Sequence, residues 1–318
     1  MQAIIKKEST SLVLLFLLML LVAGVCLMIG PIATRNPTII FEIRFPRILL
    51  ALLVGAGLSG AGAVLQGVLR NPLADPFILG TSGAATMGVM LAGILGLSHY
   101  SFLYFLALGF ALFSIFLVYR IAKQNGKTPI QTLILAGVIV SLFFNALVFV
   151  FFSIFYRDSY TVLFYLLGSL TEGDSLRMSI SAVLILFGFM ISWFYSRELN
   201  LLTQGEETAE HLGVQVERAK KILFVSASAM VAASVAIAGM IGFVGLIIPH
   251  MMRMLVGPDH RILIPASAIG GAIILVLTDA IARSAIPPLE IPVGALTALL
   301  GAPYFIYLLR KKQHAGEF

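Results

Sequence analysis

The stretch GAGLSGAGAVLQG, Gly55 to Gly67, sets glycine at 55, 57, 60, 62 and 67 among alanine, serine and branched residues, with one glutamine, Gln66. Glycine is a poor helix former in water, yet this stretch sits inside an apolar run over about 47–69. A run of that length suits a bilayer core of about 30 Å, which takes roughly 20 helical residues to cross. In lipid no hydrophobic effect drives helices together, and small residues let their backbones approach closely. The stretch therefore reads as a transmembrane helix in a tight bundle.

The rest of the chain extends that reading. Of 318 residues, 59% are apolar and 11% charged, and the mean hydropathy is +1.02, outside the range of soluble domains. Apolar runs of spanning length occupy about 11–33, 47–69, 79–97, 101–122, 130–155, 176–196, 219–239, 262–282 and 292–310. A shorter run near 241–256, GMIGFVGLIIPHMMRMLVG from Gly239, carries glycines at 239, 242 and 245 and Pro249. It reads as a short or broken helix, tolerated at membrane depth where it packs in protein or borders a wet path. The expectation is an all-α membrane protein of about ten crossings, one transmembrane domain over 1–318 with no soluble domain.

Charge sets the orientation. With the N-terminus inside, Arg35, Arg44, Arg47, Arg157, Arg177 and Arg283 fall outside, and the other basic residues, from Lys6 and Lys7 to Arg310, Lys311 and Lys312, fall inside. That asymmetry follows the positive-inside rule and places both termini in the cytoplasm. The net charge of +6 then reflects topology and contact with membrane lipid, so nucleic acid is not implied as a partner. The N-terminal apolar run is longer than a signal-peptide core and reads as an uncleaved first helix. Cys26, the single cysteine, excludes an internal disulfide and a cysteine metal cluster.

Few motifs offer chemistry. The GKT at 126–128 lacks the glycine a phosphate loop needs five residues earlier, where Ile121 stands, so Lys127 reads as an inside anchor. His250, Asn145, Gln66 and Asp279 lie in or near spans, where an interhelical hydrogen bond or a functional role are both open. RNPLADPFILG, Arg70 to Gly80, joins two spans on the inside, with Pro72 and Pro76 preventing a continuous helix. It is either a stiff connector or a gate. The polar segment GEETAEHLG, Gly205 to Gly213, stands alone in this apolar chain. Glu207 and His211, four apart, share a helical face, but no third metal ligand is evident.

Four stretches carry a family resemblance: RFPRILLALLVGAGLSGAGAVLQGVLRNPLADPFILGTSGA (44–84), LGVQVERAK (212–220), AGMIGFVGLIIPHMMRMLVGPDHRILIPAS (238–267) and DAIARSAIPPLEIPVGALTALLGAPYFIYLLRK (279–311). They resemble, in order and from about residue 40 onward, the permease subunits of ABC importers for iron-siderophores, haem and vitamin B12. The resemblance implies a vitamin B12 importer permease-like fold of ten spans. It implies a second permease subunit, identical or related, two ATP-binding subunits in the cytoplasm and an extracytoplasmic substrate-binding protein. No cofactor is expected on this chain; ATP and Mg would sit on the partner ATPase. An iron(III)-siderophore is the expected cargo, with haem and vitamin B12 as alternatives.

The resemblance also distributes roles. The segment at about 200–218 becomes the ATPase-coupling element, with Gly205, Glu206, Glu207, Ala209, Leu212 and Gly213 as its residues. Arg44, Arg47 and Arg283 match arginines that meet acids of the binding protein, and Asn71 and Leu73 match a cytoplasmic constriction. A second constriction of the family falls around TPIQT (128–132), where Ile130 and Gln131 replace the expected small hydroxyl pair. The turn FYLLGSLTEGDS (164–175) has Tyr165 in place of a usual tryptophan. An ion-coupled carrier built on Asp279 and Arg283, and a membrane enzyme around His250, are the rival classes. Asp279 and Arg283 fall at the outer end of a span, and no paired acids or H-E-x-x-H motif is present.

Overall fold

The apolar runs become helices in the computed structural model, which describes residues 2–30, 36–97, 99–154, 159–170 and 175–314. In chain order these are α1 (Gln2–Met28), α2 (Phe45–Val68), α3 (Thr81–Ile94), α4 (Tyr100–Ala122), α5 (Ile130–Ile154), α6 (Ser159–Leu167) and α7 (Ser175–Phe194). They continue as α8 (Ser196–Gln204), α9 (Glu206–His211), α10 (Val216–Ala238), α11 (Val244–Val256), α12 (His260–Ser284) and α13 (Val293–His314). A π-helical turn, Ile39–Arg44, leads into α2, and a 3₁₀ turn, Pro76–Leu79, leads into α3. Among the described residues, seven helical spans are long and apolar enough to cross a membrane, and three shorter apolar helices, Thr81–Ile94, Val244–Val256 and Val293–Tyr307, accompany them. The protein is an all-α, multi-pass protein of the cell membrane.

Two classes of helix follow from composition. The small-residue helices α2, α10 and α12 are mostly buried, whereas α1, α4, α5 and α7 turn leucine, phenylalanine and valine outward. Such outward apolar faces match a lipid solvent. Helix α2 packs antiparallel on α12: Gly55 meets the backbone of Gly271 at one end, and Gly67 meets His260 and Leu199 at the other. Gly62 lies against the backbone of Gly245 in α11. The glycines that opened the sequence reading are thus the places where backbones touch, and buried Gln66 donates from Nε2 to the Leu246 carbonyl at 3.0 Å.

The short run around 241–256 is indeed a 13-residue helix, α11, preceded by non-helical backbone. Gly239 has φ +69° and Phe243 φ +67°, the latter rare for a side chain of that size. The irregular backbone is held by neighbours: Ser169 N donates to Ala238 O, and Met240 N to Tyr165 O. That agrees with the rule that broken backbone at membrane depth is packed in protein. An apolar cavity of about 360 Å³ lies beside it, lined from α11, α12 and α13 by Phe243, Ile247, Ile274 and Tyr304 among others.

One local reading is corrected. The stretch expected as a turn from residue 164 is helical through Leu167, because the apolar SYTVLFYLL forms α6; residues 171–174 of that stretch lie outside the described residues, as do Arg35 and Arg157. The GKT segment forms a tight turn, with Gln124 and Lys127 exchanging backbone hydrogen bonds at 2.9 Å and Gly126 at φ +82°.

Candidate functional site

One end of the bundle carries the polar segment, residues 205–213. Helix α8 stops where Gly205 takes φ +133°, a backbone that L side chains rarely adopt, and α9 begins at Glu206. Six residues are too few for a stable helix in water, so α9 is fixed by its ends. At the far end Gly213 N donates to Glu210 O at 2.9 Å and Val214 N to Ala209 O at 3.0 Å, with Gly213 at φ +86°. That is a Schellman closure, which needs the left-handed residue that glycine supplies. Ala209 is fully buried, and Glu206 bonds inward to Lys220. Glu207, Glu210, His211 and Leu212 remain exposed. Leu212 is 61% exposed there. A cleft of about 460 Å³ runs beside it, bordered by Tyr195, Arg197, Leu201, Leu212, Gln215 and Arg218. Glu207 and His211 lie on this surface, and among the described residues no three His, Cys, Asp or Glu side chains gather as a metal site.

Neighbouring elements steady that end. Asn200 of α8 donates from Nδ2 to Asp259 at 2.7 Å, and its Oδ1 accepts from the His260 amide at 2.9 Å. Trp193 Nε1 donates to the Arg261 carbonyl at 3.0 Å. Helix α2 ends in a closure like that of α9 but built on Arg70 at φ +49°, with Asn71 N donating to Gln66 O. A non-glycine residue held left-handed stores strain of a kind that clusters at functional sites. Asn71 Oδ1 accepts from Leu73 N at 2.9 Å, and Asp75 Oδ1 accepts from Phe77 N at 2.8 Å, so each fixes one turn of the α2–α3 connection. Burial pushes the Asp75 carboxyl above the usual carboxylate range, partly offset by the Phe77 amide.

The opposite end holds the three outer arginines, and the structure binds them within the chain. Arg44, 4% exposed, donates to the carbonyls of Leu27 and Met28 at the end of α1. Arg283, 3% exposed, donates to the Cys26 carbonyl at 2.7 Å and stands 3.6 Å from Asp279. Arg47 joins the fully buried Asp279 at 2.9 Å and the half-exposed Glu290 at 2.8 Å. Buried Cys26 packs inside this end, as its residue type suggests. Sequence reasoning placed these arginines at one end but missed their partners. The i,i+4 spacing of Asp279 and Arg283 was the one signal that could have found them.

Comparison with known proteins agrees with this geometry. A match to the FecCD transport family spans residues 12–311. The chain belongs to the FecCD transport family. Among relatives of this family, the cobalamin import system permease protein of Halobacterium salinarum is 43% identical over 281 residues, covering 86% of this chain and 74% of that protein. The iron(3+)-hydroxamate import system permease protein of Bacillus subtilis is 41% identical over 293 residues, covering 89% and 86%. A solved inward-facing ABC transporter assigned to the metal-chelate type superposes with a TM-score of 0.86 at 38% identity, over 96% of this chain and 99% of that one. This FecCD chain is a permease of the ABC-importer kind that serves metal chelates, haem and vitamin B12.

Proposed function

We propose that this chain is the membrane-spanning subunit through which an iron(III)-siderophore-type chelate enters the cytoplasm by alternating access. Two separate ATP-binding subunits, carrying ATP and Mg, supply the energy. A second permease subunit completes the path, and an extracytoplasmic binding protein delivers the cargo. In this reading the chain crosses the membrane ten times with both termini inside. The observation that carries it is the end-fixed α9: Glu207 faces out from a short helix that buried Ala209 anchors and that Leu212 and Gly213 close, and its exposed face of Glu207, Glu210 and His211 is not covered by the described residues of this chain. Such an element transmits motion as a rigid body. Asn71 and Leu73, on the strained turn that follows α2, supply the cytoplasmic gate.

Docking of the binding protein centres on Arg47, whose guanidinium fork suits carboxylates and which lies beside exposed Glu290; Arg44 and Arg283, buried and bonded within the chain, brace the same end. Cobalamin is the second cargo reading, favoured by the 43% identity with the Halobacterium relative. Native mass spectrometry of the ligand retained by the cognate binding protein decides between them. An iron-loaded chelate supports the first reading, and a corrinoid replaces it with the second.

A further inference from the structure

Lys220, in the second turn of α10, is 6% exposed. Its Nζ donates to both Glu206 carboxylate oxygens at 3.1 Å and to the Thr128 carbonyl at 2.9 Å, and lies 2.6 Å from Glu217 Oε1. An ammonium has three protons, and here they serve three pieces of chain: the polar segment through Glu206, the α4–α5 turn through Thr128, and the first turn of α10 through Glu217. A cavity of about 430 Å³ opens beside the cluster and is also lined by Leu69 and Arg70 at the end of α2 and by Lys127 and Gln131 around the α4–α5 turn. The turn bearing Asn71 and Leu73 follows directly from that α2 end. On its other side, α9 follows α8 directly through Gly205, at φ +133°.

A surface ion pair would leave the lysine in water and contribute little. This lysine is withdrawn from water, which is costly unless every proton is bonded, and its partners lie 14 and 92 residues away. We propose that Lys220 is a positioning residue that makes α9, the 123–129 turn and the base of α10 a single rigid body. Displacement of α9 by an ATPase is then delivered to the α4–α5 turn instead of being dissipated at Gly205. This inference rests on the reading that α9 docks an ATPase.

The test uses the full chain, alone and with its ATPase subunits, in lipid nanodiscs. Spin labels are placed at Thr208→Cys on α9 and Gln124→Cys on the α4–α5 turn, both exposed, while Cys26 is buried. Pulsed dipolar spectroscopy should give one narrow distance that is the same without nucleotide and with ATP plus orthovanadate. Lys220→Met and Glu206→Ala should each broaden the distribution about twofold, since a joint with two discrete arrangements loses its bias, and Lys220→Arg should narrow it again. Should Lys220→Met fail to fold, Glu206→Ala decides alone, because it removes both acceptor oxygens of α9 and leaves Lys220 its bonds to Thr128 and Glu217. Distributions as narrow in the variants as in the parent would overturn the joint, as would a parent distance that changes with nucleotide. Failure of the ATPase to bind would overturn the docking reading instead, and the nucleotide-free distances of the chain alone would still decide the joint.

Discussion

Gly213 offers a perturbation with a single physical cause. Its φ is +86°, and a Cβ built there meets nothing within 4 Å, so substitution at Gly213 acts chiefly on backbone conformation. An L-residue held left-handed costs about 1–2 kcal/mol, and a β-branched side chain, for which that region is a genuine outlier, belongs at the upper end. The two closing bonds, from Gly213 and Val214 to Glu210 and Ala209, hold a helix too short to persist alone. A loss of about 1–2 kcal/mol should therefore lower the population of the closed segment relative to the open one by about 5–30-fold. Amide hydrogen exchange over residues 206–214 measures that change directly, and ATP hydrolysed per cargo imported in the reconstituted importer measures its consequence. Protection should fall in Gly213→Val, less in Gly213→Ala, and least in Gly213→Asn, since asparagine enters the left-handed region more readily. Gly126 is the control: it has φ +82° and equally open surroundings, so Gly126→Val carries a similar local cost yet should leave α9 protected. Unchanged exchange in Gly213→Val, or an asparagine variant as damaged as the valine one, would refute the reasoning.

Three further perturbations test the two ends. Asp279→Ala leaves Arg47 and Arg283 without their shared buried carboxylate and should destabilise the fold by about 3–5 kcal/mol, read as a faster loss of monodisperse protein in detergent at fixed temperature; retention of parental stability would remove the outer ion cluster from the account. Glu290→Gln withdraws one partner of Arg47 and should tighten binding of the substrate-binding protein by less than about tenfold, more so at low salt; weaker binding would move the docking role to Glu290 itself. Asp75 has a folded pKa raised above its ordinary 3.8, so between the two values the folded state binds more protons than the unfolded one. Its contribution is most favourable below 3.8 and is lost as pH rises through the folded value. Asp75→Asn keeps an oxygen for the Phe77 amide and should flatten this dependence and stabilise the protein at neutral pH; an identical pH profile for the two proteins would show that Asp75 is not desolvated.

Most of the bundle was legible because each crossing is a local property. The run at about 101–122 is α4, Tyr100–Ala122, and the run at about 130–155 is α5, Ile130–Ile154. The glycines of α2 were readable as contacts, since small residues in lipid have few other uses. The partners were not readable. Arg47 finds Asp279 across 232 positions, and nothing in either neighbourhood announces the other. The same distance in sequence hid Lys220, which looks like one of several inside-facing basic residues until Thr128 and Glu206 are brought to it. The apolar SYTVLFYLL of α6 is too short to count as a crossing, and its last four residues fall in the stretch expected as a turn. For α9 the sequence shows a polar segment ending in Gly213, and the structure makes that glycine its left-handed closing residue.

On the proposed function, this chain moves cargo only when a separate ATPase drives it. Proteoliposomes containing the chain with its ATPase subunits, supplied with the loaded binding protein, test it most directly. Uptake should require ATP, vanish when the ATPase is omitted, and persist when an ionophore collapses ion gradients. Uptake that is equal without the ATPase, or that stops with the ionophore and ignores ATP depletion, would contradict it.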